Sequence, residues 1–311
     1  MATLRISLFG NLRISRADLK TEVRLTRIVQ AFFAFLLINR HRVHPREVLS
    51  DLFWGDRPDE QARNCLNTTI WRIRRTLETG SIPKGTYLVR TPMAEVGFNC
   101  NCDYWLDIEC FEKQIDRTLK KPVEVIDNDE ADRLKRVLDF YDGDLLEGFY
   151  YDWALLERER MRTLYLNALE HLMRYFDYCG AYEEAINCGK KILYHDNIRE
   201  EIHREVIRYY LKCGYRARAM RHYNECREIL KKELGIEPMQ ETRALCREIK
   251  EMTKLPKLAK DFDRQQEIKT FENNTHGHQI LSKLKHVMGD IQKMNNKMEE
   301  IAQLIERTIK A

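Results

Sequence analysis

Apolar and polar residues alternate with period two in Leu4-Arg5-Ile6-Ser7-Leu8-Phe9 and again in Leu12-Arg13-Ile14-Ser15, with Gly10-Asn11 between them. That alternation predicts a β-hairpin, because successive strand side chains point to opposite faces and the Gly-Asn pair suits a tight turn. The period then lengthens. Thr26 suits an N-cap, and Ile28, Phe32, Phe35 and Leu36 recur at three- and four-residue spacing, which predicts a helix over 26–39. Pro45 suits the first turn of a second helix, 45–53, with Val48, Leu49 and Leu52 on its apolar side. The loop Trp54-Gly55-Asp56-Arg57-Pro58 leads to a third helix over 59–78. After Gly80, Tyr87-Leu88-Val89-Arg90 and Val96-Gly97-Phe98 read as two strands around Thr91-Pro92-Met93-Ala94.

Hairpin, three helices, hairpin is the order of a winged helix-turn-helix with an added N-terminal sheet. From Asp103 onward the pattern is almost wholly helical, and comparing the chain with itself at an offset of 34 pairs Phe176 with Tyr210, Cys179 with Cys213, Gly180 with Gly214 and Ala185 with Ala219. Thirty-four is the tetratricopeptide period, in which a glycine ends one helix and a small alanine lets the next pack close. Beyond Pro256 and the polar stretch 272–277, Ile280, Leu284, Val287, Ile291, Met294, Met298, Ile301 and Ile305 fall at 4-3 spacing, a coiled-coil seam. Leu281, Met288, Ala302 and Ile309 widen that stripe, so self-association, packing on its own chain and a lipid-surface helix all stay open. The fold class expected is mainly α. A winged helix-turn-helix with small β-sheets fills 1–102, a tetratricopeptide-like all-α repeat domain 103–251, and a linker with a long amphipathic helix 252–311.

Charge separates the first domain from the rest. Residues 1–99 hold 16 Lys and Arg against 9 Asp and Glu (+7), whereas the other 212 hold 37 against 40 (−3). The overall +4 therefore belongs to the N-terminal part, where a polyanionic partner is expected. No apolar run reaches the roughly 18 residues that cross a bilayer, and the start does not read as a signal peptide, so a cytoplasmic protein with no membrane partner is expected. Nine scattered cysteines with no CxxC pair read as reduced thiols. Cys100, Cys102 and Cys110 match zinc-ligand spacing only weakly.

The candidate chemistry sits on the third helix. Ala62, Leu66, Thr69, Ile70, Ile73 and Leu77 make one apolar stripe, and the opposite side presents Gln61, Asn64, Thr68, Trp71, Arg72 and Arg75, flanked by Arg63, Asn67 and Arg74. Arginine can bond guanine edges or phosphates, Asn and Gln can bond adenine, and Trp71 has no core duty. No acidic residue lies between Gln61 and Leu77, whereas an ordinary solvated helix face mixes signs. Arg90 and Lys84 near the wing, and the Arg40, His41, Arg42, His44 and Arg46 cluster between the first two helices, are placed to reach a DNA backbone.

Several strings resemble the bacterial transcriptional activator domain proteins, typified by the SARP antibiotic regulators with an OmpR-type DNA-binding part. They are Leu52-Phe53-Trp54-Gly55-Asp56, Asp144-Leu145-Leu146-Glu147-Gly148 with Asp152-Trp153-Ala154, Glu157-Arg158-Glu159-Arg160, and Glu233-Leu234-Gly235-Ile236-Glu237-Pro238. The resemblance covers residues 4 to about 248. It implies an activator that binds direct-repeat promoter DNA with the third helix in the major groove and contacts RNA polymerase through the loop holding Trp54, Gly55, Asp56, Arg57 and Asp59. Trp54 could instead bury its ring behind that loop. The ATPase and phospho-acceptor receiver domains of some relatives have no counterpart in the sequence.

No nucleophile with a neighbouring base, no Walker-type loop and no HExxH motif is present, so neither an enzyme nor a cofactor is expected. A small-molecule effector on the helical domain stays open. The alternative class is a tetratricopeptide adaptor without specific DNA binding, which has no need of an acid-free face over 61–77.

Overall fold

The computed structural model describes residues 4–17, 22–80 and 82–258. The period-two segments form β1 (Leu4–Ser7) and β2 (Arg13–Arg16), paired antiparallel with Ile6 opposite Ile14. The chain turns between them at Gly10, whose φ of 67° is a left-handed conformation that glycine adopts without a Cβ penalty. A third strand, β5 (Tyr104–Leu106), lies parallel to β1 with Leu4 opposite Tyr104. This corrects the expectation of helix from Asp103 onward. Three residues are too few to display an alternation, and their partner strand is about 100 residues earlier.

Asp107, the next residue, fastens the junction. Its buried carboxylate accepts hydrogen bonds from the backbone N–H groups of Leu8 (2.7 Å), Phe9 (3.1 Å) and Ile108 (2.7 Å). Burial pushes its carboxyl up to about 6, against the pull of those donors, which favour the carboxylate. The same edge reaches further along the chain, where the N–H of Leu146 donates to the Leu8 carbonyl (2.9 Å) and that of Gly10 to the Asp144 carbonyl (3.0 Å). Hydrogen bonds thus cross the boundary expected at 102/103. The described residues up to Arg243 form one compact unit, and a second begins at Ala244.

Three helices follow the hairpin: α1 (Arg27–Ile38), α2 (Arg46–Trp54) and α3 (Asp59–Leu77). The side chains from Ala31 through Leu37 are all buried in α1, so this helix is surrounded rather than one-sided. The apolar side expected for α2 is corrected: Leu49 is buried, but Val48 and Leu52 are 52% and 40% exposed. The buried side runs instead through Leu49, Ser50, Phe53 and Trp54, with the two rings packed against Phe32 of α1. On α3 the buried residues are Ala62, Leu66, Thr69, Ile70, Ile73 and Leu77, the stripe read from the sequence.

The wing is β3 (Leu88–Arg90) paired antiparallel with β4 (Val96–Phe98). His44 adds a bridge to it, its N–H and carbonyl both bonding Val96 at 2.9 Å.

The helical part runs α4 (Asp107–Leu119), α5 (Asn128–Leu138), α6 (Asp152–Tyr178), α7 (Tyr182–His195), α8 (Glu200–Lys212) and α9 (Arg216–Glu233). α10 (Gln240–Leu258) begins in the first unit and continues into the second. The 34-residue spacing is carried into the backbone. Gly180 and Gly214 have φ of 73° and 78°, and the next residues, Ala181 and Tyr215, donate at 2.8 Å to the carbonyls of Phe176 and Tyr210. Among the described residues no helix is long and apolar enough to cross a membrane. The heptad residues Ile280–Ile305 lie outside the described residues.

The Asp144–Gly148 and Arg158 strings form a clasp inside the first unit. Leu146 and Gly148 hold left-handed conformations, φ 51° and 81°, and the Arg158 guanidinium donates to the carbonyls of Leu145 (2.9 Å), Leu146 (2.7 Å) and Phe149 (3.1 Å).

Candidate nucleic-acid interface

With its apolar stripe buried, α3 must turn the other side outward. Gln61, Arg63, Asn64, Asn67, Thr68, Trp71, Arg72 and Arg75 are all exposed, Trp71 by 54%. Among the described residues none of Arg63, Arg72 and Arg75 pairs with a carboxylate. Their cations face solvent as strong hydrogen-bond donors with a free fork.

Arg74 departs from the expectation that it faces DNA. It is half-buried, donates to the Leu88 carbonyl (3.0 Å) and lies 3.8 Å from the Glu78 carboxylate. Glu78 in turn accepts from the backbone N–H groups of Gly85 (2.8 Å), Tyr87 (3.0 Å) and Leu88 (3.2 Å). The pair therefore fastens the end of α3 to the first wing strand and fixes the angle between helix and wing. Arg16 closes the same corner from β2, donating to the Leu77 carbonyl (3.0 Å) and the Thr79 hydroxyl (2.9 Å).

Between helix and wing lies a cleft of about 490 Å³ lined by Arg46, Asn67, Trp71, Arg75, Lys84 and Arg90. The structure thus brings Arg90 from the wing and Arg46 from the first turn of α2 to the same side as the outward face of α3. Burial and the neighbouring cations Arg90 and Arg74 lower the basicity of the Arg46 guanidinium. It stays there because its Nη2 donates to Asn67 Oδ1. Collected cations in a concave site concentrate field and raise the local density of an anion.

Two members of the basic cluster between α1 and α2 do other work, which corrects their expected place at the groove. Arg40 is buried and ion-paired to Glu112 at 2.7 Å, and His44 is buried with its ring 5.0 Å from that of Phe35. Burial lowers the basicity of His44, with Arg42 adding to the effect. His41 and Arg42 remain exposed.

The loop after α2 divides in the same way. Trp54 is only 6% exposed and packs on Phe53 and Phe32, so its ring supports the loop from beneath. Gly55, Asp56, Arg57 and Asp59 form the exposed surface. At Gly55 a Cβ would stand 2.6 Å from the Asp51 carbonyl oxygen, so the close turn requires glycine. Among the described residues no three His, Cys, Asp or Glu side chains are placed to share a metal ion.

The described residues thus combine a winged helix, whose third helix turns uncompensated cations outward, with stacked helical hairpins. The chain carries, in order, the two domains of regulators that join an OmpR-type winged helix to a bacterial transcriptional activator domain. Residues 20–92 match the family model "Transcriptional regulatory protein, C terminal", and residues 106–250 match "Bacterial transcriptional activator domain".

Among known proteins it is similar to the regulatory protein AfsR of Streptomyces coelicolor, 27% identical over 238 residues, which are 76% of this chain and 23% of AfsR. It is also similar to the transcriptional regulatory protein MoaR1 of Mycobacterium tuberculosis, 24% identical over 230 residues, 71% of each chain. The match thus spans about a quarter of AfsR and most of MoaR1. A solved structure of Mycobacterium tuberculosis EmbR in complex with a low-affinity phosphopeptide shares the fold. Its TM-score is 0.63 at 19% identity, covering 81% of this chain and 66% of that one.

Proposed function

We propose that this chain is a sequence-specific activator of transcription that binds double-stranded promoter DNA. One observation carries the reading: an acid-free α3 face whose exposed arginines have no carboxylate partner among the described residues, continuous with a cleft lined by Arg46, Lys84 and Arg90. In this reading α3 enters the major groove, a width that admits one helix. Gln61, Arg63, Asn64, Asn67, Thr68, Trp71, Arg72 and Arg75 meet bases and nearby phosphates, and Arg46, Lys84 and Arg90 straddle the backbone. Arg74 sets the angle at which the wing stands.

The exposed Gly55, Asp56, Arg57 and Asp59 contact RNA polymerase. The heptad residues Ile280, Leu284, Val287, Ile291, Met294, Met298, Ile301 and Ile305 join two chains as a homodimer on a direct repeat. A ligand or protein bound to the helical hairpins sets the activity, and the chain works in the cytoplasm. The regulator descriptions of AfsR and MoaR1 support the reading at the level of class.

The test is duplex affinity against salt. Each phosphate neutralised releases counterions, so the log-log slope should be about −0.9 per phosphate contact, and a flat response would sink the proposal. For the tail, the solution mass of the full chain is compared with that of a chain ending at residue 275. A full-chain dimer against a truncated monomer is expected, and two monomers would end the coiled-coil reading.

A further inference from the structure

The outward side chains of α3 are not independent of one another, and their internal contacts narrow what the helix can read. The Arg75 guanidinium lies over the Trp71 indole, 4.8 Å from the ring centroid and one helical turn further on. Both side chains are exposed, and among the described residues Arg75 has no acidic partner. Stacking on an aromatic face restricts the long arginine side chain while leaving its N–H edge free, so less freedom remains to be lost when that edge binds. The indole itself is a large apolar surface left in water on the side that faces a partner.

The neighbours reinforce one kind of chemistry. Asn67 Oδ1 accepts from Arg46, which leaves the amide NH₂ as its outward group. Next to it, the Thr68 hydroxyl donates to the Asn64 carbonyl at 2.9 Å. That bond spends the Thr68 proton, but on the wing side the Asn67 amide and the Arg75 guanidinium present donors around the apolar plate of Trp71. In the major groove guanine alone offers two adjacent acceptors, N7 and O6, and thymine alone offers a methyl group.

We infer that Trp71 and Arg75 act as one reading unit for a guanine with a thymine beside it. Arg75 makes the bidentate contact to guanine N7 and O6, and Trp71 covers the thymine C5-methyl. This rests on the DNA-binding reading above and names the bases it leaves open.

The experiment uses the full chain to enrich duplexes from a random library. In the enriched duplex each guanine is then replaced in turn by 7-deazaguanine, which lacks only the N7 acceptor, and each thymine by uracil, which lacks only the methyl. Affinity is read by fluorescence anisotropy. At one thymine–guanine step the native chain should lose roughly 5- to 100-fold on 7-deazaguanine, the range of a broken bidentate contact. On uracil it should lose roughly fourfold, the size of one buried methyl group. Arg75→Ala should be indifferent to 7-deazaguanine at that step and Trp71→Ala to uracil, each with the native melting temperature.

The inference is overturned if the enriched site has no thymine next to a guanine, or if both base analogues leave native affinity unchanged. It is overturned too if the variants stay as sensitive as the native chain, since Arg75 then holds a phosphate and not a base. A chain that enriches no sequence at all removes the DNA-binding reading first, and this one with it. Because the analogues alter the DNA and leave the native protein intact, the result does not depend on either variant folding.

Discussion

The exposed arginines of α3 and several charges of the hairpins α6–α9 are arranged on different plans. On α6 Arg160 pairs with Glu157 and Arg174 with Glu170, on α8 Arg208 pairs with Glu205, and on α9 Arg227 pairs with Glu228. Lys212 reaches back to Asp177 across a repeat, and Arg199 to Glu170 at 3.0 Å. These exposed pairs are individually worth little stability, but they cancel the outward field locally. On α3 Arg63, Arg72 and Arg75 have no such partner among the described residues, even though Asp59 and Glu60 stand one turn before Arg63 and Glu78 one turn after Arg75. The difference teaches where the molecule expects an anion from outside: at the winged helix, and not along these pairs on the hairpins.

The largest expected effect tests that contrast directly. Replacing Arg72 and Arg75 together with alanine should weaken duplex binding by at least about 30-fold, since each base or phosphate contact is worth roughly 1–3 kcal/mol, while the melting temperature stays put. Replacing Arg208 and Arg227 in the same way should leave anisotropy titrations unchanged. Equal losses in the two double variants would erase the contrast.

If the hairpins are held by their interior, their sensitive points should be buried ones. His203 Nε2 donates to the Asn197 carbonyl at 2.9 Å, so its Nδ1 is left to accept from His222 Nε2 at 3.1 Å. Burial, then the neighbouring His203 and Lys190, push the His222 imidazole down to about 4. Below its ordinary value of 6.5 the unfolded chain therefore takes up a proton that the fold refuses. Stability is complete above pH 6.5 and should fall by about 3 kcal/mol as the pH drops towards 4, read as a shift of the urea midpoint. His222→Gln should flatten that dependence, and an unchanged pH profile would remove the imidazole as its cause.

A smaller effect is expected at Gly189 on α7. A Cβ there would stand 2.4 Å from Val206 Cγ2 on α8, which is fully buried. Gly189→Ala should cost about 1–3 kcal/mol by overpacking, whereas alanine at Gln61 or Asn64 on α3 should change stability by less than about 0.5 kcal/mol. Smallest of all, Arg46→Ala should reduce the log-log salt slope of DNA binding by about one while leaving sequence preference at the Trp71–Arg75 step intact. An unchanged slope would place Arg46 off the backbone and shrink the interface to α3 and Arg90.

Much of the candidate site was legible before any coordinates. The six-residue stripe of α3 was complete because a 19-residue amphipathic helix repeats its signal over five turns. Arg74 was misassigned because angular position on a helix does not say that a carbonyl of the next strand and the Glu78 carboxylate await that side chain. Arg40 and His44 find their partners by folding and not by local pattern, since Glu112 reaches Arg40 from 72 residues on and the turn after α1 folds His44 back onto the Phe35 ring. Arg46 is legible as one of the basic cluster, but its role as a wall of the cleft depends on Asn67 and Arg90 arriving beside it.

What the amino-acid order settled by itself is everything that rests on local periodicity: the hairpin, the three helices, the 34-residue spacing and the acid-free face of α3. These follow from side-chain spacing of two or 3.6 residues and need no distant partner. Tertiary structure alone decided the parallel strand at 104–106, the clasp of Arg158 on residues 145–149 and the cleft that gathers Arg46, Lys84 and Arg90 around Trp71 and Arg75. Each joins groups distant in sequence, and a pattern read along the chain carries no record of which distant group will satisfy a given donor or cation.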